Sequence, residues 1–282
     1  MSEQPVRKPR NAKVLEVQRT ERLSPHMIRV VLGGPGLAAF TDNDYTDHYV
    51  KLQFAPEGVT YPKPFDLDWI RENLPREQWP VSRTYTVRSY DPDAGELTID
   101  FVHHGDEGIA GPWAAAAKPG DELAFMGPGG AYAPSPAADW HLLVGDESAL
   151  PAIGGALERI PVGTPVKVVV EVSGPDDEQE LPTPGDAEFV WLHRGDAAPG
   201  TTDLLLEHVA AMEFPSGKVH AFVHGEGAMV MKKLRPHLFK ERGIPRDQVS
   251  ISGYWRHGRT EETFREWKSE LAEADRAAAA PA

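Results

Sequence analysis

Between residues 13 and 135 the apolar positions come in short alternating runs, at 13–17, 27–32, 49–54, 82–90, 96–103 and 122–125, with Gly, Pro and Asp between them. Alternation of period two, bounded by turn residues, predicts β-strands. Six such strands in series predict a closed antiparallel barrel. Residues 58–80 break the pattern: rich in Pro, Trp and charge, they predict a long loop with one helical turn. Loops of that length inside a compact domain often carry function.

From residue 141 the period changes. Strand-like runs at 141–145, 166–172, 188–193, 219–224 and 249–254 alternate with helical stretches at 149–160, 202–211 and 229–242, the last kinked at Pro236. Strand alternating with helix predicts a five-stranded parallel sheet built from βαβ units. The connection 173–187 is too acidic and Pro-rich for a helix, and a final helix is predicted at 260–276. The fold class is therefore an antiparallel six-stranded barrel followed by a parallel five-stranded α/β domain. The Ala133-Pro134-Ser135-Pro136 stretch is the natural linker. The expected organisation is a disordered tail at 1–12, the barrel domain at 13–135 and the α/β domain at 136–282.

A chain of 282 residues exceeds what one core usually fills, which agrees with two domains. No apolar run approaches the roughly 20 residues of a membrane span, and no apolar segment follows the basic start. A soluble, cytoplasmic, monomeric protein without a membrane partner is expected. The absence of cysteine excludes disulfides, thiol nucleophiles and Cys-held iron–sulfur or zinc sites. Any redox chemistry would then travel on an organic cofactor or a metal without Cys ligands. A net charge of −14 argues against a nucleic-acid partner. The histidines are scattered without metal-ligand spacing, so no metal site is expected.

The sharpest local signal is Arg83-Thr84-Tyr85-Thr86, continued by Val87-Arg88. Alternation puts Arg83 and Tyr85 on one face of a strand and Thr84 and Thr86 on the other. An Arg pairs with pyrophosphate, a Tyr stacks on a flat ring, and a Thr hydroxyl bonds a ring heteroatom. Alone, the tetrapeptide reads first as a surface strand of β-forming residues. The next segment runs from Asp100-Phe101-Val102-His103-His104-Gly105 to Gly108-Ile109-Ala110-Gly111-Pro112-Trp113. There a strand passes through a Gly-rich turn into a short helix at 113–117, a seat for a pyrophosphate.

With these two motifs in order, and with PGDELAFMGPGGAY, GDESALPAI, WLHR, His224-Gly225-Glu226 and GYWRHG behind them, the chain resembles the siderophore-interacting proteins of the ferredoxin reductase superfamily. The resemblance runs from about Lys13 to Trp267. It implies FAD held by Arg83, Thr84, Tyr85 and Thr86, with Thr86 at the flavin N5 edge and no acid–base catalyst. It extends the cofactor site to Asp100, Val102, His104, Gly108, Ala110, Trp113 and Trp255. Asp146, Glu147, Ser148, Arg194 and Glu226 fall where the superfamily binds NADPH or NADH. Lys51 and Arg256 fall where an anionic ferric siderophore would meet the flavin. The implied activity is FAD-dependent, NAD(P)H-linked reduction of ferric siderophores with release of iron(II). Two alternatives stay open: a flavin reductase with a ferredoxin or quinone partner, and a siderophore-binding protein that retains FAD. One departure from the superfamily is visible. The turn Gly145-Asp146-Glu147-Ser148 carries two carboxylates at a helix start, which satisfy the helix dipole themselves and repel a dinucleotide phosphate.

Overall fold

The computed structural model describes residues 12–279, so the tail expected at 1–12 lies almost wholly outside the described residues. The chain divides into two units, one ending at Ala131 and the other beginning at Tyr132.

The first unit is a closed barrel of strands β1 (Lys13–Ser24), β2 (Met27–Gly33), β3 (Tyr49–Phe54), β4 (Val81–Asp91), β5 (Glu96–Val102) and β6 (Glu122–Gly129), in the order β1-β2-β5-β4-β3-β6. Antiparallel pairing of β1 with β6, from Lys13↔Phe125 to Glu16↔Glu122, closes it. The period-two pattern explains the interior: Leu15 and Val17, Val30 and Leu32, Val50 and Leu52, Leu97, Ile99 and Phe101, Leu123 and Phe125 all point into one core. The 58–80 loop holds more helix than the single turn expected. Helix α1 (Leu67–Asn73) is started by Asp66, whose carboxylate accepts from Asp68 N and Trp69 N, each at 3.0 Å. The short helix of the second motif, α2 (Ala110–Ala116), begins three residues earlier than its sequence suggested. It sets Trp113 against Phe54 and Phe101, at ring separations of 5.6 and 5.7 Å.

The second unit is a parallel sheet of β7 (Trp140–Asp146), β8 (Pro165–Val172), β9 (Asp186–His193), β10 (Val219–Glu226) and β11 (Val249–Trp255), in the order β11-β10-β7-β8-β9. Strands β7 and β10 are buried along nearly their whole length, as expected where helices cover both faces. The helices are α3 (Leu150–Glu158), α4 (Leu204–Ala211) and α5 (Glu261–Ala279). Between β10 and β11 the chain winds as wide π-type turns, Met229–Leu234 and His237–Glu241, on either side of Pro236. Proline lacks an N–H and disturbs the regular helical ladder, which accounts for the interruption there. The chain steps outward from β7 through β8 to β9, then returns to the other side of β7 for β10. The sheet therefore changes direction between β7 and β10, where open α/β sheets leave a crevice for ligands at their carboxyl ends.

Phe101 is inaccessible to solvent and bridges Tyr85 and Trp113. Phe101→Ala should cost the barrel about 3–5 kcal/mol, read as an earlier barrel transition in urea. A loss below 1 kcal/mol would show that the strand end collapses around the void.

Candidate functional site

The two motifs of the barrel meet across an open seam. Strands β4 and β5 pair from Asp91↔Glu96 to Val87↔Ile99, and among the described residues the ladder ends there. Arg83–Thr86 pair only with β3, while residues 100–102 pair only with β2. The Arg83-Thr84-Tyr85-Thr86 run thus lines one lip of the seam and Asp100-Phe101-Val102 the other. The ladder register also fixes the faces. Arg83 stands opposite the core residue Leu52 and Tyr85 opposite Val50, so both turn inward; the Tyr85 ring lies 4.5 Å from Phe101. Thr84 faces Lys51, and Thr86 faces Tyr49, on the outer side. Thr86 is buried there, whereas Lys51 and Tyr49 are exposed.

Asp100 is fixed by a partner that its sequence position did not reveal. Its directly opposed residue Arg29 donates to both carboxylate oxygens, at 2.7 and 2.8 Å. Beyond Val102 the turn carries Gly105 (φ 64°) and Gly108 (φ 78°), left-handed positions with open space where a side chain would stand. That is the form of a loop which a ligand's phosphates approach closely. Ala110 is buried, Trp113 is half-buried in the core at the head of α2, and the His104 ring lies 6.1 Å from that of His26. A cavity of about 500 Å³ opens beside Trp113 under the 59–65 loop, walled by Phe54, Tyr61, Phe65 and Ile109. The seam residues fit a group with a pyrophosphate and a flat ring such as FAD: a cation and an aromatic ring on one lip, Arg83 and Tyr85, and close-approach glycines in the turn beyond the other.

In the α/β unit the five residues expected to meet a nicotinamide nucleotide do come together, around the β7–β10 switch point, but they bond to one another. Asp146 accepts from Ser148 N (3.0 Å), Ser148 Oγ (2.5 Å), Glu226 N (2.8 Å) and Trp255 Nε1 (2.8 Å). Glu147 Oε1 lies 2.5 Å from Arg194 Nη1, a buried charge contact without the alignment of a hydrogen bond. Glu226 Oε1 accepts from Arg256 Nη1 at 2.6 Å. A Cβ at Gly145 would come within 2.4 Å of the Ala149 Cβ and 2.7 Å of His224 O, so the turn is packed shut. Arg194, expected to offer its charge to a phosphate, is spent inside the fold. Arg256 keeps about a quarter of its side chain accessible.

Burial shapes the titration of this cluster. It pushes Asp146 up against the pull of its four donors. It pushes Glu147 up to about 7, with help from the Asp146 charge and opposition from Arg194. Glu171, buried on β8, is also pushed up by burial and is opposed by the Thr202 hydroxyl that donates to it at 2.7 Å. Two of the histidines also prove structural: His224, buried and stacked 4.0 Å from Phe222, is held neutral by burial, with its pKa lowered to about 3. His141 is lowered to about 4 in the same way. Among the described residues no cluster of His and acidic side chains could hold a metal ion, and no helix is long and apolar enough to cross a membrane.

A six-stranded barrel with an open β4–β5 seam, followed by this parallel sheet, is the ferredoxin reductase-like fold. Residues 16–132 match the siderophore-interacting FAD-binding domain and residues 138–258 the siderophore-interacting protein domain, so the chain belongs to the siderophore-interacting protein family. It is 50% identical to an uncharacterised protein of Mycobacterium tuberculosis, over 92% of this chain and 95% of that one. It is 33% identical to the ferric vibriobactin reductase of Vibrio cholerae, over 90% and 93%. The crystal structure of a siderophore utilization protein from T. fusca superposes with a TM-score of 0.77 at 40% identity, covering 90% of this chain and 95% of that one.

A carboxyl whose folded pKa exceeds its unfolded one binds its proton more tightly when folded. Its stabilising contribution is therefore complete in acid and is lost as pH rises through the folded value. For Glu147 that loss spans the ordinary 4.5 to about 7. Urea unfolding near pH 5 and near pH 8 should show a smaller drop in stability for Glu147→Gln than for the parent, at about 1.4 kcal/mol per pKa unit removed. Equal drops would show that Arg194 keeps Glu147 ionised throughout.

Proposed function

We propose that this protein is an FAD-dependent ferric-siderophore reductase, taking reducing equivalents from NADPH or NADH and releasing iron as iron(II). The observation that carries the reading is the seam, where the Arg83–Thr86 run faces Asp100–Val102 across strands that have stopped pairing. The reductase named among its relatives supports the same activity.

Arg83 supplies the charge for the pyrophosphate, and the Gly105 and Gly108 turn lets the backbone approach it. Tyr85, braced on Phe101, sets the shape of the cofactor channel, and Thr86 offers its hydroxyl to the N5 edge from the outer face. A bound flavin joins a two-electron donor to a one-electron acceptor, and the protein contributes position and electrostatics. No side chain need carry a proton to the iron. Lys51 on the barrel and Arg256 at the end of β11 supply positive charge for anionic ferric chelates. Iron(II) suits hard oxygen ligands less well than iron(III), so reduction loosens the chelate, and the chelate itself supplies the metal's ligands. The reaction belongs in the cytoplasm, where nicotinamide donors are abundant. The packed turn at Gly145 favours a second reading for the donor alone: a ferredoxin, which has no phosphates to seat there. Steady-state rates with NADPH, NADH and reduced ferredoxin decide between them.

The absorption spectrum of the purified protein is the first test: flavin bands that bleach on addition of NADH or NADPH are expected, and their absence removes the reading. Arg83→Ala should weaken FAD retention about ten- to hundredfold; a variant that purifies with full flavin content would unseat Arg83. Thr86→Val should keep the cofactor but shift its reduction potential or rate. Arg256→Ala should raise the Michaelis constant for an anionic ferric siderophore, most at low salt, where screening is weak. An equal response from a neutral chelate would mean that Arg256 acts through packing against its neighbours.

A further inference from the structure

Glu226 stands at the carboxyl end of β10 with only 4% of its side chain accessible. Each carboxylate oxygen is engaged. Oε1 accepts from Arg256 Nη1 (2.6 Å) and from His257 N (3.2 Å), and Oε2 accepts from Met229 N (2.8 Å). Its own backbone N–H is tied to Asp146. Gly200, at φ 74°, closes over it so tightly that a Cβ would come 2.6 Å from Glu226 Cγ and 3.0 Å from the Trp255 ring. The carboxylate is therefore held on several sides and has no room to follow the guanidinium outward. Arg256, by contrast, reaches from this buried anchor to the surface, with 26% of its side chain accessible and its guanidinium 6.0 Å from the Trp267 ring.

We propose that Glu226 is a positioning residue for the ferric-chelate site: it pins one edge of the Arg256 guanidinium so that the remaining N–H groups meet the oxygens of an anionic catecholate-type chelate in a fixed orientation. The inference rests on the reading of Arg256 as the substrate anchor. A guanidinium carries five N–H donors in one plane, so pinning one edge sets the direction of the rest. A free arginine loses rotamer freedom when it binds, and a pinned one has lost it already. The same pair has an opposite electrostatic effect, because the Glu226 charge offsets that of Arg256 and weakens its long-range pull. Positioning and neutralisation therefore predict opposite signs when the carboxylate is removed.

The test uses the flavin-loaded protein and two probes, a hexadentate ferric tris-catecholate, which is anionic, and a neutral cyclic ferric tris-hydroxamate. Dissociation constants come from equilibrium dialysis for the parent, Glu226→Gln, Arg256→Ala and the double variant. Positioning predicts that Glu226→Gln weakens the catecholate about tenfold, although the site gains positive charge, and leaves the hydroxamate near its parent value. In the Arg256→Ala background the same substitution should add nothing, because the two residues act as one unit. Tighter catecholate binding in Glu226→Gln would make Glu226 a neutralising partner and overturn the proposal. Additive losses in the double variant would overturn it too. Should Arg256→Ala alone leave catecholate binding unchanged, the anchor reading falls and takes this proposal with it, an outcome distinct from the other two. Where Glu226→Gln does not fold, Glu226→Asp keeps the charge but draws it back by one methylene, and it should show the same selective loss.

Discussion

The α/β unit closes on one buried carboxylate. Asp146 ends the central strand at the point where the sheet changes direction, and it gathers donors from β10, from the indole of β11 and from its own turn. Burying a carboxylate is costly unless its lone pairs are filled, and here four donors fill them. The geometry demands glycine on both neighbouring strands. At Gly145 a side chain would strike Ala149, and at Gly225, with φ 147°, it would come 2.8 Å from Asp146 Oδ2. The Gly145-Asp146 and Gly225-Glu226 pairs are thus two halves of one device, which carries a chain of contacts from β7 through β10 to Arg256. In a dinucleotide-binding sheet the same crevice stays open for phosphates. In this chain it is filled by side chains, and the charge that reaches the surface belongs to Arg256.

The barrel solves the opposite problem. A closed barrel normally satisfies every strand edge, yet β4 pairs with β5 only from Val87 onward, and among the described residues no ladder joins the stretch before it to residues 100–102. The interior compensates: Phe101 and Tyr85, one from each lip, pack ring to ring beneath the opening, and Trp113 closes over them from α2. Arg29 fastens Asp100 from the β2 side, so the second lip is held by a charge pair where the ladder to β4 is missing. The seam is therefore an opening lined with backbone and polar groups and backed by packed rings, which suits a cofactor with phosphates and a flat ring.

Period-two alternation made the barrel legible, because its strands carry apolar residues at alternate positions that meet in one core, as at Leu97, Ile99 and Phe101. The change to strand–helix alternation made the parallel sheet legible as well. The Arg83–Thr86 faces were readable for the same reason, since alternation needs only the strand's own residues. What stayed hidden depends on partners far along the chain. Nothing near Asp100 announces Arg29, 71 positions away, because strand register is set by the whole barrel. The inward turn of Arg194 and Glu226 was hidden likewise. A charged residue at a strand end looks the same in sequence whether it faces a ligand or a buried carboxylate. The Asp146-Glu147 pair gave half a warning: its repulsion of phosphate was readable, but not that Arg194 would neutralise Glu147. The extent of α1 was hidden because residues 58–80 read as a loop rich in Pro, Trp and charge, while Asp66, a good cap, stood in plain view.

The charge of the chain sharpens what the cations at the site must do. A net charge of −14 opposes an anionic ferric chelate at long range. At physiological salt, however, exposed charges are screened over about 8 Å, so the approach is decided within a few side-chain lengths of the site. Over that distance the placement of a cation counts for more than its number. Of the two arginines at the switch point, Arg194 is buried against Glu147 and adds almost nothing outside, while Arg256 is tied at one edge and open at the other. An anion with several oxygens gains most from donors whose spacing is already set, because it then orders nothing on arrival. A buried carboxylate beneath a surface arginine thus trades part of the charge for direction, and that exchange favours a substrate whose negative charge is spread over a rigid set of oxygens.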